Sequence, residues 1–69
     1  MKRLDREYKA NRILAALWNK SVEDIIRFRS NDDTSGMAKH FKKLMRLPED
    51  EIENSYALAM QVLNQRHAQ

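Results

Sequence analysis

Residues 36–47 read GMAKHFKKLMRL, and two interleaved patterns run through them. Met37, Phe41, Leu44 and Met45 recur at spacings that place side chains on one face of an α-helix. Lys39, Lys42, Lys43 and Arg46 recur at i, i+3, i+4, i+7 on the side opposite. The stretch therefore reads as an amphipathic helix, with Gly36 at its start and Leu47 at its end. The whole chain has one glycine, one proline and few β-branched residues, which leaves little material for sheets or tight hairpins.

The same period extends outward in both directions. Immediately upstream, Ser30 to Ser35 reads SNDDTS, six residues whose side chains compete for backbone hydrogen bonds and so favour turns. Thr34 or Ser35 is placed to cap the helix that follows. Before that loop, Ser21-Val22-Glu23-Asp24 resembles a capping box with Asp in the place of the usual Glu or Gln. It opens a short helix that runs to about Arg29, with Val22, Ile25 and Ile26 inward and Phe28 beside Ile25. A first helix, from about Leu4 to Asn19, carries Ala10, Ile13, Leu14 and Leu17 on one stripe, with Trp18 on its flank. Leu4, Tyr8 and Ala15 form a neighbouring strip, so this helix is expected near the centre of the domain.

Downstream, Pro48 suits the first turn of a fourth helix, where a missing amide hydrogen costs nothing, and Glu49, Asp50 and Glu51 suit the positive end of its dipole. Ile52, Tyr56, Ala59 and Leu63 then follow i, i+4, i+7, i+11. Met60 and Val62 widen that stripe and Leu58 falls outside it. With no internal repeat or linker, residues 1–69 are expected to form a single all-α domain, a compact bundle of three to four short helices. The order of helix, short helix, turn and basic helix is compatible with a helix-turn-helix-like arrangement.

A chain of 69 residues buries only about 60% of the surface that its unfolded form exposes, so an additional stabilising device is expected. Disulfides are excluded by the absence of cysteine, and His40 and His67 stand too far apart, without thiolate company, for a zinc staple. No metal or cofactor is expected. Oligomerisation remains, and a homodimer is its simplest form. Trp18, Leu58 and Met60 are the candidate subunit or partner contacts, because aromatic and Met residues are favoured at such surfaces.

No apolar run approaches the roughly 18 residues of a membrane span, and the Met-Lys-Arg start leads into charged sequence instead of a signal peptide. The sequence as written is thus expected to be the mature chain, and the lack of cysteine fits a cytoplasmic location.

The formal net charge is +3, but its distribution matters more. Residues 1–47 hold twelve Lys and Arg against six Asp and Glu, whereas residues 48–69 hold one against four. No acidic residue interrupts 36–47, so the helical salt-bridge partners that would neutralise the stripe are missing. The functional reading is an anion-binding helix: Lys39, Lys42, Lys43 and Arg46 meet phosphates or base edges, His40 stands on the flank, and Arg27 and Arg29 join from the preceding helix. The bland reading is a solvated basic face. Against DNA stand the long, glycine-free turn, the Asp32 and Asp33 carboxylates near the phosphates, and the absence of Asn and Gln from the third helix.

Two functions fit these features. One is a DNA-binding transcription regulator that presents two copies of the basic helix as a homodimer. The other is a protein-protein interaction module, a small inhibitor or adaptor, that binds an acidic partner protein through the same face. A membrane-surface role is set aside because Phe41 and the two Met residues beside it are needed for the core. Catalysis has no support: there is no cysteine, and no serine stands near a histidine in a defensible helical register. The acidic stretch from residue 32 is too short for a calcium loop, and Glu49 to Glu53 is explained by the helix dipole.

Overall fold

A computed structural model describes residues 2–31 and 36–67 and forms four helices: α1 (Arg3–Trp18), α2 (Val22–Ser30), α3 (Met37–Met45) and α4 (Glu49–His67). No strand occurs among the described residues. The all-α bundle expected from the periodicity is what forms, with the limits of the first three helices and the start of the fourth within one or two residues of those expected. Asp32, Asp33, Thr34 and Ser35, and with them the proposed cap of α3 and the acidic part of the turn, lie outside the described residues. No helix among those described is long and apolar enough to cross a membrane.

Helix α1 is the hub. It packs against α2, α3 and α4, most extensively against α4. Each helix contributes one large, fully buried side chain to the centre: Leu14, Ile25, Met37 and Ile52. Full burial of such a side chain stabilises the fold by about 1.5–3 kcal/mol. Ala10, Ala15 and Ala59 are also buried, and Leu44 and Ile13 complete the core. Phe41, Met45, Tyr56 and Leu63 pack on its edge.

The corners follow from local chemistry. Asn19 takes a left-handed conformation (φ 54) that closes α1, a geometry Asn tolerates better than most residues, and the Lys20 amide then donates to the Ala15 carbonyl. The Ser21 hydroxyl accepts from the Asp24 amide at 3.1 Å, which is the N-cap read from the sequence. Gly36 precedes α3 with φ +83. That backbone conformation requires glycine although a Cβ there would meet nothing. After α3, the Arg46 and Leu47 amides donate to the Lys43 and Leu44 carbonyls in tight closing bonds.

Several apolar residues expected inward are open to solvent. Leu17 is 60% exposed, Leu4 77%, Tyr8 49% and Val62 43%, and Ile26 and Phe28 are also exposed. Leu17 and Val62 face each other in an open groove between α1 and α4 that α3 borders but does not fill, and α2 and α3, nine residues each, leave part of the 16-residue α1 uncovered.

Arginines join the helices where apolar contact is thin. The Arg6 side chain reaches from α1 to the C-terminal carbonyls of α3, donating to Met45 at 3.3 Å and to Leu47. Arg66 reaches from α4 to the end of α1, donating to Asn19 Oδ1 and the Ala15 carbonyl, both at 3.0 Å. Each places a cation at a helix C-terminus, where free carbonyls and the dipole favour it. Arg29 of α2 donates to Asn11 Oδ1 at 3.0 Å and to Glu7 Oε1 at 2.8 Å, both on α1, with its guanidinium 4.0 Å from the centre of the Phe41 ring of α3. Lys9 pairs with Glu53 between α1 and α4.

Candidate nucleic-acid interface

Helix α3 holds its basic face outward because its apolar face is anchored: Met37 and Leu44 are buried, and Phe41 and Met45 lie against the core. Lys39, Lys42, Lys43 and Arg46 are all exposed. Among the described residues none of the four has a carboxylate within ion-pair distance. Arg46 sits just past the last turn, at the C-cap, so three of the cations are helical and the fourth extends their line.

The stripe has two flanks with different surroundings. Lys39 and Lys43 border a depression shared with Trp18, Gly36 and His40. The Trp18 and His40 rings meet edge to face there, 5.6 Å between centres. Lys42 and Arg46 border a second depression, floored by Ala38, Phe41 and Met45 and closed on its far side by Arg3. Arg3 was not among the candidates. Its position depends on how the start of α1 packs beside the end of α3, a contact about 40 positions apart that periodicity does not encode.

The other candidates separate. Arg29 lines the same depression as Lys42 and Arg46, but its side chain is only 17% exposed and is held by Glu7, Asn11 and Phe41, so it also serves the framework. The reason is that α2 packs on α1 and carries Arg29 into their junction. Arg27 is 67% exposed and lies 3.7 Å from Asp24, a loose pair on the outside of α2. His40 is half-buried beside Trp18. Trp18 packs against the core edge and also lines the depression beside Lys39 and Lys43. Met60 is half-buried and faces a trough bordered by Arg12, Lys20 and Arg66. Leu58 is 64% exposed and lies in a groove between α1 and α4 together with Leu17 and Val62. The three proposed contact residues thus face three different ways.

No group of three or more His, Cys, Asp or Glu side chains among the described residues could hold a metal ion. Compared with models of protein families, with curated proteins and with solved structures, the chain finds no match.

Proposed function

We propose that the chain is a small, non-catalytic, DNA-binding regulatory protein that meets the phosphate backbone through the basic face of α3 and works as a homodimer in the cytoplasm. The observation that carries this reading is the row of four exposed cations, without acidic partners among the described residues, on a helix whose opposite face is buried. Exposed lysines and arginines with no internal partner retain their full attraction for phosphates, and Arg3 extends the row beyond α3. Sequence reading by this helix would rest on Arg46, the lysines and His40, since Asn and Gln are absent from it.

A fluorescence-anisotropy titration with duplex DNA over a range of salt concentrations tests the proposal. Binding should weaken steeply with salt, and the double substitution Lys42→Ala and Lys43→Ala should lower the log–log slope by about 1.8, or 0.9 for each lost phosphate contact. Absence of binding at low salt, or an unchanged slope, defeats it.

The apolar floor between Lys42 and Arg46, made by Ala38, Phe41 and Met45, favours a second reading. Cations on the lip of an apolar depression suit an acidic protein that also presents hydrophobic side chains, as a helical inhibitor or adaptor requires. Recovery of one stoichiometric protein partner, unaffected by nuclease and lost on Phe41→Ala together with Lys42→Ala, would decide for it.

A further inference from the structure

The depression beside Lys42 and Arg46 gathers cations from three helices. Arg3 comes from the first turn of α1, Arg29 from the last turn of α2, and Lys42 and Arg46 from the end of α3. No carboxylate lines it among the described residues. The one ion pair that these four make there is between Arg29 and Glu7, so Arg3, Lys42 and Arg46 stand together unanswered. Like charges held close repel one another, and the core does not require the arrangement, since all three are exposed.

Arg29 differs in kind from the other three. Its Nε donates to Asn11 Oδ1 at 3.0 Å, its Nη2 donates to Glu7 Oε1 at 2.8 Å, and its plane lies over the Phe41 ring. These contacts fix the guanidinium. Its remaining terminal nitrogen, Nη1, donates to no atom of the described residues and is not sealed from solvent. A guanidinium already held in place loses little freedom when it meets an anion. The carbonyl end of a helix would normally repel that anion. At α3, Arg6 covers this end by donating to the Met45 and Leu47 carbonyls.

We infer that this depression seats a phosphate group, with Arg29 as its fixed donor and Arg3, Lys42 and Arg46 as mobile donors that close around it. A carboxylate brings two oxygens and a single charge. A phosphate brings more acceptor oxygens, and as a monoester more charge, which suits donors arriving from three helices. The depression, about 430 Å3, is larger than the group itself, so whatever carries the phosphate lies over the floor made by Phe41 and Met45. The inference rests on the phosphate reading of α3 and deepens it: a residue of α2, outside the stripe, determines where a phosphate lodges.

Titration of the full chain with inorganic phosphate at constant ionic strength, followed by amide NMR shifts, tests the seat without nucleic acid. The Lys42 and Arg46 amides should shift saturably, and chloride should give no saturable shift. Lys42→Ala with Arg46→Ala, both exposed, should raise the phosphate dissociation constant about tenfold or more, because two charge-assisted donors are lost. Arg29→Lys, which keeps the charge but not the planar fork, should raise it about tenfold. Lys39→Ala with Lys43→Ala removes as much charge from the other flank of α3 and should leave the constant within about twofold, since screening weakens the more distant cations. Circular dichroism checks the fold of each variant, and if Arg29→Lys unfolds, the comparison of the two double substitutions decides alone. An unsaturable response, equal weakening by the two pairs, or an unchanged constant in a folded Arg29→Lys overturns the inference.

Duplex DNA identifies the source of the phosphate. Competition between DNA and inorganic phosphate assigns the seat to a backbone phosphate. Saturable phosphate binding by a chain that ignores DNA keeps the seat, assigns it to a small phosphorylated compound and removes the DNA target. DNA binding without a saturable phosphate response removes the seat and keeps the target.

Discussion

Two sets of cations divide this molecule. Arg6, Arg29 and Arg66 reach across helix junctions and donate to carbonyl, amide and carboxylate oxygens of the protein itself. Lys39, Lys42, Lys43 and Arg46 stand on one exposed side of α3 and answer no carboxylate among the described residues. The chemistry largely follows the division: apart from Lys9, which pairs with Glu53 between α1 and α4, the inner set is arginine, whose planar fork can satisfy several oxygens at once, and the outer set is mostly lysine, a hydrated point charge. Net charge treats the two sets alike. Position decides that the first holds the fold together and the second faces outward.

The sharpest way to break that contrast is Arg29→Met, which keeps some of the packing on Phe41 but strands buried Asn11 and leaves Glu7 without its cation. Urea unfolding should show a loss of about 2–3 kcal/mol, since the partners left behind are partly desolvated. A loss near zero would move Arg29 into the outer set. Next comes Gly36→Ala, which strains the turn on which the outer set is mounted. The left-handed backbone there should make the substitution destabilising by about 1.5 kcal/mol despite the open space around it.

Arg66→Met should have a smaller effect, about 1 kcal/mol in the same assay. Two hydrogen bonds at the end of α1 are lost, but so is a buried Nε that has no partner among the described residues, and the second change offsets part of the first. At the foot of the scale, Lys42→Ala with Lys43→Ala should change stability by less than about 0.5 kcal/mol, because neither side chain holds anything in place. A destabilisation as large as that of Arg29→Met would erase the distinction between the two sets.

Much of the fold was legible because helical periodicity reports which side of each helix faces inward. Ala10, Ile13, Leu14, Ile25, Met37, Leu44, Ile52 and Ala59 were all read that way and all are buried. Periodicity does not report how closely two helices approach, and so Leu17 and Val62, beside the core stripes, line an open groove between α1 and α4. The α3 stripe was legible for the same reason as its core. The fate of Arg29 was not, because its partners lie 18 and 22 positions away on another helix and no local spacing points to them. The same holds for Arg3 beside Lys42 and for Arg6 at the end of α3.

The long reach of Arg66 has a consequence for how the chain comes into being. Its bonds close the end of α1 across 47 and 51 positions, so α1, the helix every other one packs on, is finished only when almost the whole of α4 is available. During synthesis from the amino end, α1, α2 and α3 leave the ribosome before the residue that completes their shared hub. Such a domain closes its hub last instead of piecewise, and its aliphatic surfaces stay open to chaperones until α4 has emerged.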